Sequence, residues 1–390
     1  MRIVYCLPQV YKPGGIERIV SIKANYLVEV CQYEVFIITA CQQANPPYYP
    51  FSKKIKFIDL NIDYDSTLKY PIWKRIVKKS KLSHYHKQQL SKILAKINPD
   101  ITISTFTHEA AFLPDINDGS KKILEFHFCK GHKCKVAKAF GFSLLTKLAY
   151  YFKCWQEEHI IIPKYDQFVV LTEEDKTDWQ KQISTVECIP NILPFKTNEQ
   201  ASLDNKTVIA VGRLDGQKRF DRLITLWKEV YNKHPDWKLN IFGQGQDEHK
   251  LEKLITELDL NESITIHQPN QNIKKEYLNS SIFVMTSAYE GLPMVLLEAV
   301  ELGIPVVCYD FKCGPRDIII DGENGFLIKD GNSEAFIKGI NRLIEDKSLR
   351  EKMGNKAKLL SARYSQEVIM HKWIELFDKI TNDLWTQRKK

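Results

Sequence analysis

Short apolar runs alternate with longer amphipathic ones along the whole chain. In the first half, residues 2–7, 34–39, 54–59, 101–104, 122–127 and 167–171 read as strands rich in Ile, Val and Phe. Residues 16–30 and a long basic stretch over 72–97 carry helical spacing. Apolar strands separated by helices imply a parallel sheet covered on both faces. Turn-formers Pro190, Asn191 and Pro194 and a polar stretch to Asn205 interrupt this rhythm. It then restarts, with strands predicted at 207–211, 238–242, 264–267, 282–285 and 306–309 and helices at 219–231, 249–258 and 294–302. Three helical runs close the chain, at 333–344, 350–363 and 366–385. The expected organisation is a first domain over 1–190, a linker over 191–206, a second domain over 207–365 and a final helix over 366–390. Two doubly wound α/β domains would face each other across a cleft, where ligands bind at the carboxyl ends of strands.

The length of 390 residues and the 44% hydrophobic content suit two domains with real cores. No apolar run approaches the ~20 residues of a membrane-spanning helix. Residues 1–7 read as a first strand, not a signal segment. Nine cysteines without a CxxC pair point to reduced thiols and a cytoplasmic location. Cys129, Cys134, His127 and His132 lie close together, but their spacing fits no standard zinc site. Asp63-Tyr64-Asp65 sits in a polar loop and reads as a chance pair of acids.

The net charge of +8 lies wholly in the first half, since residues 196–390 hold 29 basic and 29 acidic residues. Residues 66–99 contain nine Lys/Arg and no acid, with Tyr70, Trp73 and Tyr85 among them. Residues 126–156 are likewise free of acids, with six lysines among Phe128, Phe140, Phe142, Tyr150, Tyr151, Phe152 and Trp155. Basic residues interleaved with aromatics suit an anionic membrane surface. Nucleic acid is the alternative partner, and a plain solvated face is the bland reading.

The chemistry concentrates in Ser287-Ala288-Tyr289-Glu290-Gly291-Leu292-Pro293-Met294-Val295-Leu296-Leu297-Glu298-Ala299. Glu290 is expected on the loop after a strand, and Glu298 more than a turn inside the next helix. The leading N–H groups of that helix, at Met294 and Val295, make an anion site. Upstream, Val211-Gly212-Arg213-Leu214-Asp215-Gly216-Gln217-Lys218 places Arg213 and Lys218 on another loop at the sheet edge. Two cations there can neutralise a diphosphate. Gly14-Gly15 follows the first strand and permits close backbone approach. His127 ends an apolar strand and is expected to face the cleft.

Together these segments resemble the GT4-type family of retaining glycosyltransferases with the GT-B fold. The resemblance is strongest in VGRLDGQKRFDRLI, SAYEGLPMVLLEA, GIPVV and GPRDIIIDGENGFLI. It implies a nucleotide-sugar donor on the second domain, a final helix crossing back to the first, and transfer with retention. Arg213 and Lys218 would hold the diphosphate, Glu298 the ribose, and Glu290 the hydroxyls of the moving sugar. Gly291, Leu292, Met294 and Val295 would frame the donor, Gly15 would close on its phosphates, and His127 would stand by the sugar. No metal and no other cofactor is expected. Gly314-Pro315-Arg316-Asp317 departs from the family's glycine-rich turn and resembles the branch using UDP-linked sugars. The expected acceptor is a lipid-linked or growing surface polysaccharide at the inner face of the cytoplasmic membrane, with no nucleic-acid partner. The rival readings are a nucleotide-sugar epimerase of the same fold and a basic nucleic-acid-binding protein.

Overall fold

A computed structural model of the chain describes residues 1–139, 143–270 and 272–388. Phe140 and Phe142 lie outside the described residues. Seven parallel strands build the first sheet: β1 (Arg2–Leu7), β2 (Glu34–Thr39), β3 (Lys56–Asp59), β4 (Ile101–Ser104), β5 (Lys121–Glu125), β6 (Gln167–Val170) and β7 (Val186–Cys188). Their order is β3-β2-β1-β4-β5-β6-β7. The second sheet holds β8 (Thr207–Val211), β9 (Lys238–Phe242), β10 (Ile264–His267), β11 (Ile282–Met285), β12 (Val306–Asp310) and β13 (Gly325–Lys329), in the order β10-β9-β8-β11-β12-β13. Every pairing in both sheets is parallel.

Helices wrap these sheets. In the first domain they are α1 (Gly15–Glu29), α2 (Ile72–Ile97), α3 (His132–Ala139), α4 (Leu144–Gln156) and α5 (Glu173–Gln180). In the second they are α6 (Phe220–Lys233), α7 (Glu248–Glu257), α8 (Ile273–Leu278), α9 (Met294–Glu301), α10 (Pro315–Ile318), α11 (Ser333–Glu345) and α12 (Lys347–Ser361), with α13 (Gln366–Arg388) last. The expected architecture is present. Short β7 and β13, and the small helices α8 and α10, lie where no period was long enough to announce them. β5 stops at Glu125 instead of running to His127. Phe126 N–H still reaches the carbonyl of Val169 at 2.9 Å before the chain turns away.

The crossing between cores is abrupt. Ile192 packs into the first-domain core, and its neighbour Leu193 packs into the second. The polar stretch that follows is not a free linker, because Ala201 and Leu203 are buried in the second core. The return crossing is made by α13. Its Ile369, Met370, Trp373, Leu376, Phe377 and Ile380 join the first-domain core beside Val20, Ala24 and Leu27 of α1.

One ionic cluster ties α1, β5 and α13 together. Lys23 and Glu125 are each 1% exposed at the side chain and paired directly. The Lys23 ammonium also lies 4.2 Å from the ring centroid of Trp373 and 5.5 Å from that of Tyr5. Burial alone would raise the Glu125 carboxyl, but Lys23 and His127 outweigh it and hold it at about 2. Removing one member of such a pair strands a charge in the core. Glu125→Gln should therefore cost about 3–5 kcal/mol, read as a lower urea midpoint. An unfolded Glu titrates near ~4.3, so the pair's stabilisation is complete above that pH. It is lost as pH falls toward 2, because there the unfolded chain binds the extra proton. The wild type should lose stability through that window and Glu125→Gln should show a flatter profile. An unchanged urea midpoint in the variant would contradict this placement of the charge.

Candidate donor-binding cleft

The second-domain motifs lie 72 residues apart in sequence and meet because β8 and β11 are neighbours. The order of the sheet reverses between them, and loops leaving such a point diverge to open a crevice. One loop follows β8 and carries Arg213 to Lys218; the other follows β11 and carries Ser287 to Gly291. They are stitched together. Ala288 N–H donates to the carbonyl of Gln217 at 2.8 Å, and Gln217 Nε2 donates to the carbonyl of Tyr289 at 3.0 Å. Thr286 Oγ1 donates to the carbonyls of Lys218 and Arg219 at 3.1 and 3.0 Å.

These bonds set the charged pair. Lys218 Nζ lies 2.7 Å from Glu290 Oε1, and Gln217 Nε2 lies 3.2 Å from Glu290 Oε2. Both charged side chains are nearly buried, at 13% and 12% exposure. Gly212 makes room for the lysine stem, since a Cβ there would stand 2.7 Å from Lys218 Cε. Arg213 is the exposed cation of this set, at 73%, and meets Asp215 at 3.3 Å and Gln217 at 3.2 Å.

The helix after Glu290 begins at Met294, with Pro293 at the cap position and no side chain capping it. Its leading N–H groups have no acceptor within the helix and point out of its positive end. α1 of the first domain begins in the same way after an uncapped Gly14. The two helix starts face each other, with a Cβ on Gly15 coming only within 4.0 Å of Met294 Cγ. Gly291 touches the first domain more closely still. A Cβ there would lie 2.2 Å from the carbonyl oxygen of His127, so only glycine fits this meeting of the loops.

Glu298 occupies the inner wall and is 5% exposed. Its Oε1 accepts from Arg18 Nη1 at 2.9 Å, across the domain boundary, and its Oε2 accepts from Tyr277 OH at 3.0 Å. Burial raises the Glu298 carboxyl, while Arg18 and Tyr277 act against that rise. Each carboxylate oxygen retains a lone pair for a further donor.

Glu290, Lys218, Arg213, Met294, Val295 and Gly291 thus gather at one edge, with Gly15 opposite and Glu298 behind. Leu292 is different: its side chain packs into the second core, leaving only its backbone for a ligand. His127 stands across from Gly291, but its Nε2 lies 3.2 Å from Glu125 Oε1 and the side chain is 5% exposed. Its ring is thereby drawn to the buried ionic cluster. Arg18, Tyr277 and Gln217 were not among the expected site residues. A cation in the first turn of α1, directly after Gly14-Gly15, was the available signal for Arg18; Tyr277 and Gln217 carry none.

Among the described residues no group of three His, Cys, Asp or Glu is arranged to hold a metal ion. Cys129 and Cys134 do not share a site with His132. Cys129 accepts from Lys135 Nζ at 3.1 Å. His132 stacks on Phe128 with ring centroids 4.7 Å apart, and burial pushes its pKa down to about 3.

Comparison with known proteins agrees with this geometry. The profile of the family described as glycosyl transferases group 1 matches residues 194–360, which contain every second-domain residue of the cleft. An uncharacterized glycosyltransferase of Haemophilus influenzae is 36% identical over 220 residues, covering 55% of this chain and 62% of that one. The amylovoran biosynthesis glycosyltransferase AmsD of Erwinia amylovora is 36% identical over 222 residues, with the same coverage of 55% and 62%. The chain thus spans under two thirds of the length of these curated relatives. In three dimensions, TarM of S. aureus, solved with fondaparinux, alpha-GlcNAc-glycerol and UDP, superposes with a TM-score of 0.74 over 97% of this chain and all of that one, at 17% identity. That likeness shows the fold, two Rossmann-like domains of the GT-B type. The chain carries a group 1 glycosyltransferase domain over residues 194–360.

Proposed function

We propose that this protein moves a hexosyl or N-acetylhexosaminyl group from a UDP-linked sugar to a lipid-linked or growing surface-polysaccharide acceptor. Transfer would retain configuration and use no metal. The observation that carries the reading is the Lys218–Glu290 pair, 2.7 Å apart at the start of α9 and facing the first domain. A lysine ammonium has three N–H donors. It can keep Glu290 and still meet a phosphate, while exposed Arg213 folds over the same diphosphate with its planar fork. The amides at the start of α9 add positive potential where leaving-group charge develops.

Glu290 would repel a phosphate but accepts well from sugar hydroxyls. It therefore suits the sugar being moved, and Glu298 suits the ribose. Gln217 and Lys218 hold the Glu290 carboxylate in place before substrate arrives, so no reorientation is needed at the moment of reaction. The acceptor hydroxyl attacks on the face from which the diphosphate departs, and the departing phosphate takes its proton. His127, whose carbonyl meets Gly291, would act as the helper from the first domain by turning its ring from Glu125 toward the sugar. TarM was solved with UDP, which supports the nucleotide, as does the Gly314-Pro315-Arg316-Asp317 turn. AmsD is named for amylovoran biosynthesis, which supports a polysaccharide acceptor.

The first domain offers a surface for such an acceptor. Ile72, Trp73, Ile76 and Val77 on α2 and Leu144, Leu148, Phe152 and Trp155 on α4 are all exposed. Lys153 of α4 comes near enough to Lys79 of α2 to act on it: the Lys79 ammonium is lowered by burial and then by Arg75 and Lys153. The segment leading into α3 and α4 starts at His127 and Phe128, where Gly291 touches it. No helix among the described residues is long and apolar enough to cross a membrane. A peripheral seat on the inner face of the cytoplasmic membrane places a lipid-linked acceptor next to the cleft mouth.

Glu290→Gln should leave UDP-sugar binding within a few-fold by calorimetry and lower transfer by on the order of 10²-fold, about 2.7 kcal/mol of transition-state stabilisation. Full transfer by a donor-bound variant would remove Glu290 from this role. In flotation assays the protein should rise with vesicles containing phosphatidylglycerol at low salt and less so at ~0.5 M salt, where screening is strong. Failure to float with anionic vesicles at low salt would remove the membrane seat.

A further inference from the structure

Two cysteines that the donor site does not use meet across the domain boundary. Cys129 follows β5 in the first domain, and Cys313 follows β12 in the second. Each is 1% exposed, and both pack with Tyr289, the neighbour of Glu290, in one small apolar cluster. The two thiols share this cluster and perturb one another's ionisation. Asp175 on α5 fixes both strands of this contact with one oxygen: its Oδ1 accepts from Lys130 N–H at 2.9 Å and from Cys313 Sγ at 3.4 Å. Glu174 Oε2 accepts from Cys313 N–H at 2.9 Å, so first-domain acids hold the second-domain cysteine by backbone and side chain alike.

The two sulfurs are electrostatically unlike. Contact with Cys313 and the ammonium of Lys135, 3.1 Å away, push the Cys129 thiol below its usual value. Contact with Cys129, burial and the charge of Asp175, which takes the Cys313 S–H, push Cys313 up. One is thus disposed to be the thiolate nucleophile and the other to remain a thiol that resolves.

We propose that Cys129 and Cys313 form a reversible disulfide that staples the two domains together when the protein meets a hydroperoxide. The Cys129 thiolate attacks one peroxide oxygen, the O–O bond breaks, and the released hydroxide takes a proton to leave as water. Cys129 is then a sulfenic acid. Cys313 sulfur attacks that sulfur, its proton passes to the departing hydroxyl, and a second water leaves. Two thiols and one hydrogen peroxide yield one disulfide and two waters; the sulfurs lose two electrons and the peroxide gains them. The bond would lie beside the Tyr289–Glu290 loop and hold the cleft shut. Its effect on turnover rests on the proposed transferase reading, whereas its formation does not.

The test is peptide mapping of the full chain after treatment with hydrogen peroxide and alkylation of the remaining thiols. The expected result is a linked pair of peptides containing Cys129 and Cys313, lost on reduction with dithiothreitol and absent from Cys129→Ser and Cys313→Ser. Cys134 also acts on the ionisation of Cys154, within the first domain. A map showing only a link between those two, or only singly oxidised Cys129, overturns the proposal. In parallel, peroxide should lower UDP-sugar transfer at least tenfold in the wild type, dithiothreitol should restore it, and both serine variants should resist. If the link forms in protein that shows no transfer even when reduced, the disulfide stands and the transferase reading fails. If the link forms while transfer continues unchanged, the staple does not close the cleft and the regulatory half of the proposal falls.

Discussion

An all-parallel sheet sends every one of its loops of one kind to the same edge, and the cleft depends on that constraint. β8 and β11 lie side by side although much of the second domain's sequence separates them. Their adjacency brings Lys218 to Glu290, lets Gln217 bond the backbone of both loops, and aims the start of α9 at the opening. The first sheet applies the same rule at β1 and β4, which presents the uncapped start of α1 from the other side. Neither domain alone forms the cleft; the two edges facing each other do.

Three devices keep those edges in register. α13 returns to the first-domain core and places Trp373 over the buried Lys23. Arg18 reaches across to Glu298. Gly291 lets its loop lie directly on the carbonyl of His127. The first is a packing contact of large buried area and acts as a hinge-side anchor. The other two are small polar or steric contacts at the cleft itself.

Much of this was legible in the residues. The strand-helix alternation announces two doubly wound domains, and Glu290, Glu298, Arg213 and Lys218 stand out because charged residues flank turn-formers at strand ends. What stayed hidden is long-range. No local period shows that Arg18 on α1 meets Glu298 on α9, or that Tyr277 shares that carboxylate. Leu292 stands among the site residues by position, and its side chain fills the second core while its backbone stays at the cleft. His127 belongs to a strand by its apolar run, but the sheet ends at Glu125 and the ring answers to the Lys23–Glu125 cluster. The basic windows are visible as composition, whereas the exposure of their large apolar side chains on α2 and α4 needs the fold.

The central claim is that a diphosphate sits between the two facing helix starts, held by the loops after β8 and β11. Amide hydrogen exchange with and without UDP tests it most directly, because amides that bind an anion or are closed over by it exchange more slowly. The geometry predicts slowed exchange over residues 212–218 and 291–296, together with residues 15–18 at the start of α1. Protection confined to surfaces away from these segments, or none at saturating UDP, would contradict it.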